Sequence, residues 1–213
     1  AAEPLGRRVW PTMFVASSRL LSRSRIQWLD PVIGKSVLVG LLAAGTRLII
    51  EGPLRWWVDY WLSGTPPRPL DYHLELLRGQ REALSWIIDQ SLFFGFILIF
   101  VMALIVIRMM VKRRVPTLAL TLVAWTLFHG PSSLESLLFI LANVVISLIV
   151  LLRWGVVAYL ISLVMTQVGF MARAADWSAW HSQGAVLALL VMVAFAVYGA
   201  WAAMGGRRLK LEE

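Results

Sequence analysis

The chain has 213 residues, of which 59% are hydrophobic and only 15% charged, and its mean hydropathy is +0.75. Soluble domains carry about 25% charged residues, so this composition excludes an ordinary soluble protein and indicates an all-α, polytopic membrane protein. The formal net charge of +8 does not indicate nucleic-acid binding, because the basic residues lie at the ends of apolar runs. The absence of cysteine excludes disulfides and Cys-based metal sites.

Residues 1–33 mix arginine with apolar side chains, a pattern typical of an arm lying on the cytoplasmic membrane surface. Each basic residue near anionic lipid contributes about 1 kcal/mol of attraction. A partly disordered basic flank is an alternative of equal weight. The basic residues of the arm are Arg7, Arg8, Arg19, Arg23 and Arg25.

The first span is predicted over residues 36–50. Ser36, Gly40 and Ala44 are four residues apart, and such a stripe of small residues lets another helix approach closely. Arg47 interrupts this apolar run one turn before Glu51. We interpret it as an arginine that snorkels to the outer interface and pairs with Glu51, rather than as a substrate-binding residue.

An outer loop is predicted over residues 51–85. It opens with Trp56, Trp57, Tyr60 and Trp61, which form an aromatic belt at the outer interface. A turn-rich break follows at 64–69, and an amphipathic helix is predicted from Leu70.

The second span, residues 86–107, is the clearest in the chain, because residues 92–107 carry no polar side chain. Its length of about 33 Å as a helix is enough to cross a bilayer core. Trp86 is an interface anchor at its start. A basic cluster ends the span and places this end in the cytoplasm; it consists of Arg108, Lys112, Arg113 and Arg114.

The third span, residues 116–128, would reach only about 20 Å. Taken alone it could be re-entrant. If it did not cross, however, Arg153 and the terminal Arg207 and Arg208 would all lie outside. We therefore predict a short or tilted crossing helix.

The fourth and fifth spans, residues 136–152 and 155–170, are joined by a tight cytoplasmic turn at Arg153 and Trp154. One face of each carries polar or small residues, and folding the hairpin brings the two faces to comparable depth. We expect these faces to meet and hydrogen-bond, each contact stabilising by roughly 0.6–2 kcal/mol. The residues concerned are Asn143 and Ser147 on the fourth span and Tyr159, Ser162, Thr166 and Gly169 on the fifth.

The sixth span, residues 184–204, follows the interface anchors Trp177 and Trp180 and precedes a basic tail, residues 207–213. Its close-packing positions are Ala196, Gly199, Ala200 and Ala203. With six spans, fourteen basic residues lie inside and five outside, which places both termini in the cytoplasm.

No enzymatic signature accompanies these spans. The three histidines have no partner at metal-ligand spacing, and H-E-x-x-H and G-x-S-x-G are absent. His129 and Glu135 flank a short outer turn, which is far more common than an intramembrane active site. A transporter would place Asp89, Asn143 and Thr166 along a water-filled path.

Several short stretches resemble the membrane region that follows the catalytic domain in bacterial membrane-anchored serine/threonine protein kinases. They are WLDPVIGKSVLVG at 28–40, RWG at 153–155, DWSAW at 176–180, AVYG at 196–199 and GG at 205–206. The resemblance implies a multi-helix membrane part attached to a cytoplasmic kinase. The glycine-rich nucleotide loop, H-R-D and D-F-G are absent from this chain, so no catalytic residue is carried over.

The sequence therefore predicts a non-catalytic integral membrane subunit of the bacterial cytoplasmic membrane, acting as scaffold or anchor in a larger complex, photosynthetic or respiratory. Its expected partners are membrane lipids and other integral membrane proteins, not nucleic acid. No cofactor or metal is predicted, and a bound lipid or pigment is left open. The alternatives are the anchor or sensor module of a serine/threonine kinase and a small transporter.

Overall fold

The computed structural model describes residues 10, 13–21, 30–54, 57, 58, 60, 61, 95, 98–131, 133–171 and 183–205. All regular secondary structure within these residues is helical, which confirms the all-α fold class. The helices are α1 (Val15–Leu21), α2 (Pro31–Ile49), α3 (Leu98–Val111), α4 (Arg114–Phe128), α5 (Leu134–Met171) and α6 (Gln183–Ala203). A π-helical turn, Ile50–Leu54, continues α2.

Three of the described helical stretches are long and apolar enough to cross a membrane, so the chain is a membrane-embedded protein. They are Pro31–Gly52, Ser136–Phe170 and Ala185–Ala203. Helices α3 and α4 are apolar but shorter. The amphipathic helix predicted from Leu70, most of the second span before residue 98 and the tail 207–213 lie outside the described residues.

Helix α2 begins at Pro31, five residues before the start predicted for the first span and inside the predicted arm. The Asp30 carboxylate caps the helix by accepting a 2.8 Å hydrogen bond from the Val32 N–H, and proline suits the first helical position. Arg19 of α1 contacts both oxygens of the same carboxylate, at 2.9 and 3.0 Å. One aspartate thus fixes both the helix start and the docking of α1.

Glycines let α2 run in close contact with two other helices. A Cβ added at Gly34 would lie 2.6 Å from the backbone carbon of Ala202 in α6. One added at Gly40 would lie 2.7 Å from the Ile161 side chain in α5. Since lipid tails are as apolar as the side chains, such backbone approach and the dispersion contacts it permits hold membrane helices together. Helix α2 is therefore the central helix of the bundle.

Two chain reversals bring the remaining helices alongside it. Helices α3 and α4 reverse at Lys112 and pack antiparallel, with the Phe100 and Trp125 rings edge to face at 4.5 Å. Helix α5 reverses at Gly155, whose φ of 89° is unfavourable for residues with a Cβ. Its halves, residues 134–154 and 156–171, then lie side by side and line one cavity. The reversal lies one residue beyond the turn predicted at Arg153 and Trp154.

The described part of the N-terminal arm packs against one end of the bundle, unlike the surface-lying arm that the sequence suggested. Met13 is fully buried and Trp10 nearly so. Because Gly155 interrupts α5, a new helix starts after it, and the first N–H groups of that helix lack partners within it. The Met13 carbonyl accepts a 2.9 Å hydrogen bond from one of them, the Val156 N–H. The Arg108 guanidinium lies 5.9 Å from the centre of the Trp10 ring.

We call this end of the bundle the basic end, defined by residues 108–114 and 153–155. The last described residue of the chain also belongs to it, since a Cβ added at Gly205 would lie 3.7 Å from the Pro31 ring. The opposite end carries the α4–α5 connection around Gly130 and the last residues of α2.

The close contact at Gly34 predicts opposite effects for one substitution at two positions of α2. Gly34→Ala should lower the unfolding temperature in detergent, because its methyl group meets α6 backbone; overpacking costs about 1–3 kcal/mol. Gly45→Ala should leave it unchanged or raise it, because nothing lies within 4 Å and alanine favours helix by up to about 1 kcal/mol. Equal shifts in both variants would contradict this packing.

Candidate functional site

A cavity of about 610 Å³ lies between α2, α4 and the two halves of α5. Charged side chains reach it from Arg47 and Glu51. The described polar residues that α5 contributes are Ser136, Asn143, Ser147, Tyr159, Thr166 and Gln167. Apolar and aromatic side chains complete the described lining, among them Trp125, Phe128, Phe139, Val144, Leu163 and Phe170. The interior of the bundle is therefore partly polar.

Arg47 is buried in this cavity, so the interpretation of a snorkelling arginine is wrong. The residue is only 3% exposed, and its Nη2 donates a 2.8 Å hydrogen bond to the Ser147 hydroxyl. Helical side chains tilt toward the helix N-terminus. From a position near the C-terminal end of α2, that tilt carries the guanidinium into the bundle and away from the nearby helix end.

The guanidinium is incompletely satisfied. Its Nε is buried and has no hydrogen-bond partner. Among the described residues, no carboxylate forms an ion pair with it, although Glu51 lies one turn further along and lines the same cavity. Because a guanidinium stays ionised and offers five N–H donors, Arg47 keeps its positive charge and has N–H donors left over.

The polar stripes of α5 face each other, but Asn143 makes none of the hydrogen bonds across the hairpin that the sequence predicts. The Asn143 amide donates to the Phe139 carbonyl at 3.1 Å, within its own helix. The Ser147 hydroxyl donates to the Asn143 carbonyl at 2.8 Å while it accepts from Arg47, and it lies beside the Tyr159 hydroxyl. Short polar side chains readily bond to the carbonyl four residues earlier, which leaves the cavity between the stripes.

On the second half of α5, residues 156–171, the Thr166 side chain likewise bonds within its own helix. The Thr166 hydroxyl donates to the Ser162 carbonyl at 2.7 Å, again within one helix. The Ser162 hydroxyl is buried and has no hydrogen-bond partner. Neither hydroxyl therefore bonds across the hairpin, and Thr166 lines the cavity.

The helix geometry changes at the C-terminal end of α2, beside the cavity. The chain continues from α2 into the π-helical turn Ile50–Leu54, and the Ile50 N–H is shared between the Arg47 and Thr46 carbonyls. Pro53 lacks the N–H that a regular helix needs, which accounts for a break here. π-Helical turns occur frequently at functional sites. This turn sets Arg47 and Glu51 on one side of the cavity.

The other predicted packing residues are distributed over the bundle interior, with one exception. Three pack at close helix contacts: Gly40 against α5, Gly169 against Leu48 and Gly199 against Leu38. Ala200 is exposed. The buried members of the set are Ser36, Gly40, Ala44, Ser147, Ser162, Thr166, Gly169 and Gly199, and the half-buried ones are Asn143, Ala196 and Ala203.

The predicted anchors and topology-setting residues lie away from the cavity where they are described. Trp57 and Trp61 are exposed and contact each other edge to face at 5.9 Å. Arg153 is exposed, and its guanidinium lies 5.3 Å from the Trp154 ring. Lys112, Arg113 and Arg114 are exposed at the α3–α4 reversal. The anchors Trp56, Trp86, Trp177 and Trp180 and the basic Arg207 and Arg208 lie outside the described residues.

His129 lines the cavity but is already engaged. Its Nδ1 lies 2.8 Å from the Trp125 carbonyl oxygen, and its ring contacts Trp125 and Phe128 edge to face. Within the described part of the chain, no three His, Asp or Glu side chains are grouped as they would be around a metal ion.

The buried guanidinium predicts opposite effects for two substitutions, measured as unfolding temperatures in an uncharged maltoside detergent. Arg47→Met should raise stability by about 1–4 kcal/mol, because an apolar side chain of similar length replaces an incompletely paired buried charge. Ser147→Ala should lower it by about 1–3 kcal/mol, because the charge loses its acceptor. A loss in both variants would instead show that the Arg47–Ser147 bond stabilises the fold.

Comparison of the chain with family models, with curated proteins and with solved structures found no match. The resemblance to kinase-associated membrane regions thus remains an expectation from short motifs. Any function proposed for this chain rests on its own residues and geometry.

Proposed function

We propose that the chain is a non-catalytic integral membrane subunit that acts as a scaffold or anchor within a larger complex of the bacterial cytoplasmic membrane. The observation that carries the proposal is a second face of small residues on α6. One face, with Gly199 and the fully buried Ala202, packs against α2. Ala200 is exposed and Ala196 half-buried on the neighbouring face.

This neighbouring face favours a further protein helix over lipid. Ala196 and Ala200 are four residues apart and flanked by the exposed Val193 and Val197, so they form a shallow groove. Lipid chains fill space around large and small side chains alike, whereas a helix gains dispersion contacts only where small residues let the backbones approach. We infer that a helix of another integral membrane protein occupies this groove.

Two matched variants of α6 test the proposal. Ala200→Leu should fill the groove and reduce co-elution with larger partners by roughly tenfold after mild detergent extraction from the native membrane. Ala194→Leu, an equal enlargement at an exposed position on a different side of α6, should not. Elution of the unmodified chain only as a free monomer would count against the scaffold, as would equal losses in both variants.

The proposal includes six spans with both termini in the cytoplasm. The basic clusters at 108–114 and 153, the N-terminal segment and the end of α6 lie at one end of the bundle, in support of this topology. Lysine and arginine concentrate on the cytoplasmic side of membrane proteins. Helix α4 is a short crossing, since its 15 residues rise about 22 Å.

The natural absence of cysteine makes this topology directly testable. In cells, a membrane-impermeant maleimide should label Leu134→Cys, at the start of α5, from outside. Met110→Cys and Ser18→Cys should react only after the membrane is opened. All three positions are exposed or partly exposed in the structure. Labelling of 110 and 134 from the same side would show that α4 does not cross.

A small transporter is the second candidate function, and the cavity is the observation that favours it. Asn143 and Thr166, two of the three residues expected along a transport path, line the cavity, and Asp89 lies outside the described residues. Solute flux into proteoliposomes that falls with Asn143→Leu would support transport. Flux equal to that of protein-free liposomes would dismiss it.

A further inference from the structure

The Arg47 guanidinium is buried, and no described carboxylate forms an ion pair with it, although Glu51 lines the same cavity and attracts it electrostatically. Burial of an ionised group carries a large desolvation penalty unless the group is paired and hydrogen-bonded. Ser147 supplies one neutral acceptor, and the Nε–H has none. Within a membrane, ionisable side chains of this kind are a mark of binding and transport sites.

The space beside Arg47 has the dimensions and chemistry of a ligand site. A volume of about 610 Å³ lies within the range of roughly 300–1,000 Å³ typical of small-molecule pockets. The neutral polar lining near the guanidinium comes from Ser147, Asn143 and Tyr159. The Glu51 carboxylate also lines the cavity, so a bound anion must place its charge on the Arg47 side. Such pockets usually combine a mostly apolar wall with a few polar groups that fix orientation.

The apolar wall determines what kind of molecule fits. Phe128 and Trp125 of α4 and Phe139 and Phe170 of α5 line the cavity together with aliphatic side chains. A small inorganic anion would leave this surface unused. An apolar molecule without a charged group would leave the Arg47 Nε–H without a partner.

We propose that this cavity binds an amphiphilic organic anion. Its carboxylate or phosphate accepts hydrogen bonds from the Arg47 guanidinium, and its apolar body lies along the aromatic side chains of α4 and α5. Arg47 is suited to this role because its planar fork matches the two oxygens of an oxyanion. The proposal does not depend on the scaffold function, since the α6 groove and the cavity lie on different elements.

The first experiment titrates the full chain in nanodiscs of zwitterionic phosphatidylcholine with three probes. Decanoate should bind saturably, whereas decanol, which lacks the charge, and inorganic phosphate, which lacks the chain, should bind at least roughly tenfold more weakly. Equal binding of decanol and decanoate would overturn the proposal. So would the absence of decanoate binding.

Variants then assign the binding to Arg47. Arg47→Gln should weaken decanoate binding roughly tenfold to a hundredfold, the range expected for a lost charge-assisted hydrogen bond. Arg47→Lys keeps the charge but not the planar fork, so its affinity for decanoate should lie between those of the natural chain and Arg47→Gln. Arg153→Gln removes an exposed arginine outside the cavity and should bind as the natural chain does. Unchanged affinity in Arg47→Gln would exclude the site.

A second measurement locates the ligand without altering Arg47. A brominated decanoate should quench tryptophan fluorescence, and the quenched fraction should fall in Trp125→Phe, although ten other tryptophans remain of the eleven. Quenching that is unchanged in this variant would place the ligand elsewhere and overturn the proposal.

The source of the anion is distinguished by changing the lipid. If an anionic membrane lipid is the natural occupant, adding phosphatidylglycerol to the nanodiscs should weaken decanoate binding to the natural chain by competition. If the natural occupant is a free amphiphile, decanoate affinity should be independent of phosphatidylglycerol. Both results keep the Arg47 site, and they separate its two sources of ligand.

Discussion

The bundle depends on how closely α2 approaches α5 and α6, and that approach depends on missing side chains. At Gly34 and Gly40 a single methyl group would overlap backbone or side-chain atoms of the facing helices. In a bilayer this matters more than in water, because transferring an apolar side chain from lipid to protein gains little. Dispersion contact between surfaces that fit is what remains. The same proximity brings α5 within reach of the Arg47 side chain.

The contact between Arg47 and α5 explains why the interior is partly polar. Arg47 donates to Ser147, and Ser147 donates onward to the Asn143 carbonyl, so one hydroxyl serves the guanidinium and its own helix at once. The Thr166 hydroxyl bonds within its own helix, the Ser162 hydroxyl has no partner, and a cavity lies between the two halves of α5. A polar stripe in a membrane helix can therefore face either another helix or a cavity. Both are possible because the polar side chains can hydrogen-bond to carbonyls of their own helix.

Much of the fold follows from sequence patterns, and the exceptions have physical causes. Apolar runs and basic clusters locate the helices and the reversals near residues 112 and 154, because hydrophobic length and charge are local properties. The start of α2 was placed too late, although Asp30 before Pro31 is a recognisable capping signal. Burial of Trp10 and Met13 depends on a docking surface built by α3 and α5, residues far away in sequence.

The sequence contained a signal for the cavity that its pattern alone left ambiguous. An arginine near a helix end is usually an interfacial residue, and Glu51 lies one turn away as a candidate partner. What decides between the two positions is helix direction: a long side chain near the C-terminal end of a helix tilts back along it, whereas one near the N-terminal end tilts outward. Arg47 is of the first kind. A basic residue in the last turn of a membrane helix is therefore a candidate for the interior wherever a polar stripe, here Asn143 and Ser147, lies at the depth its side chain can reach.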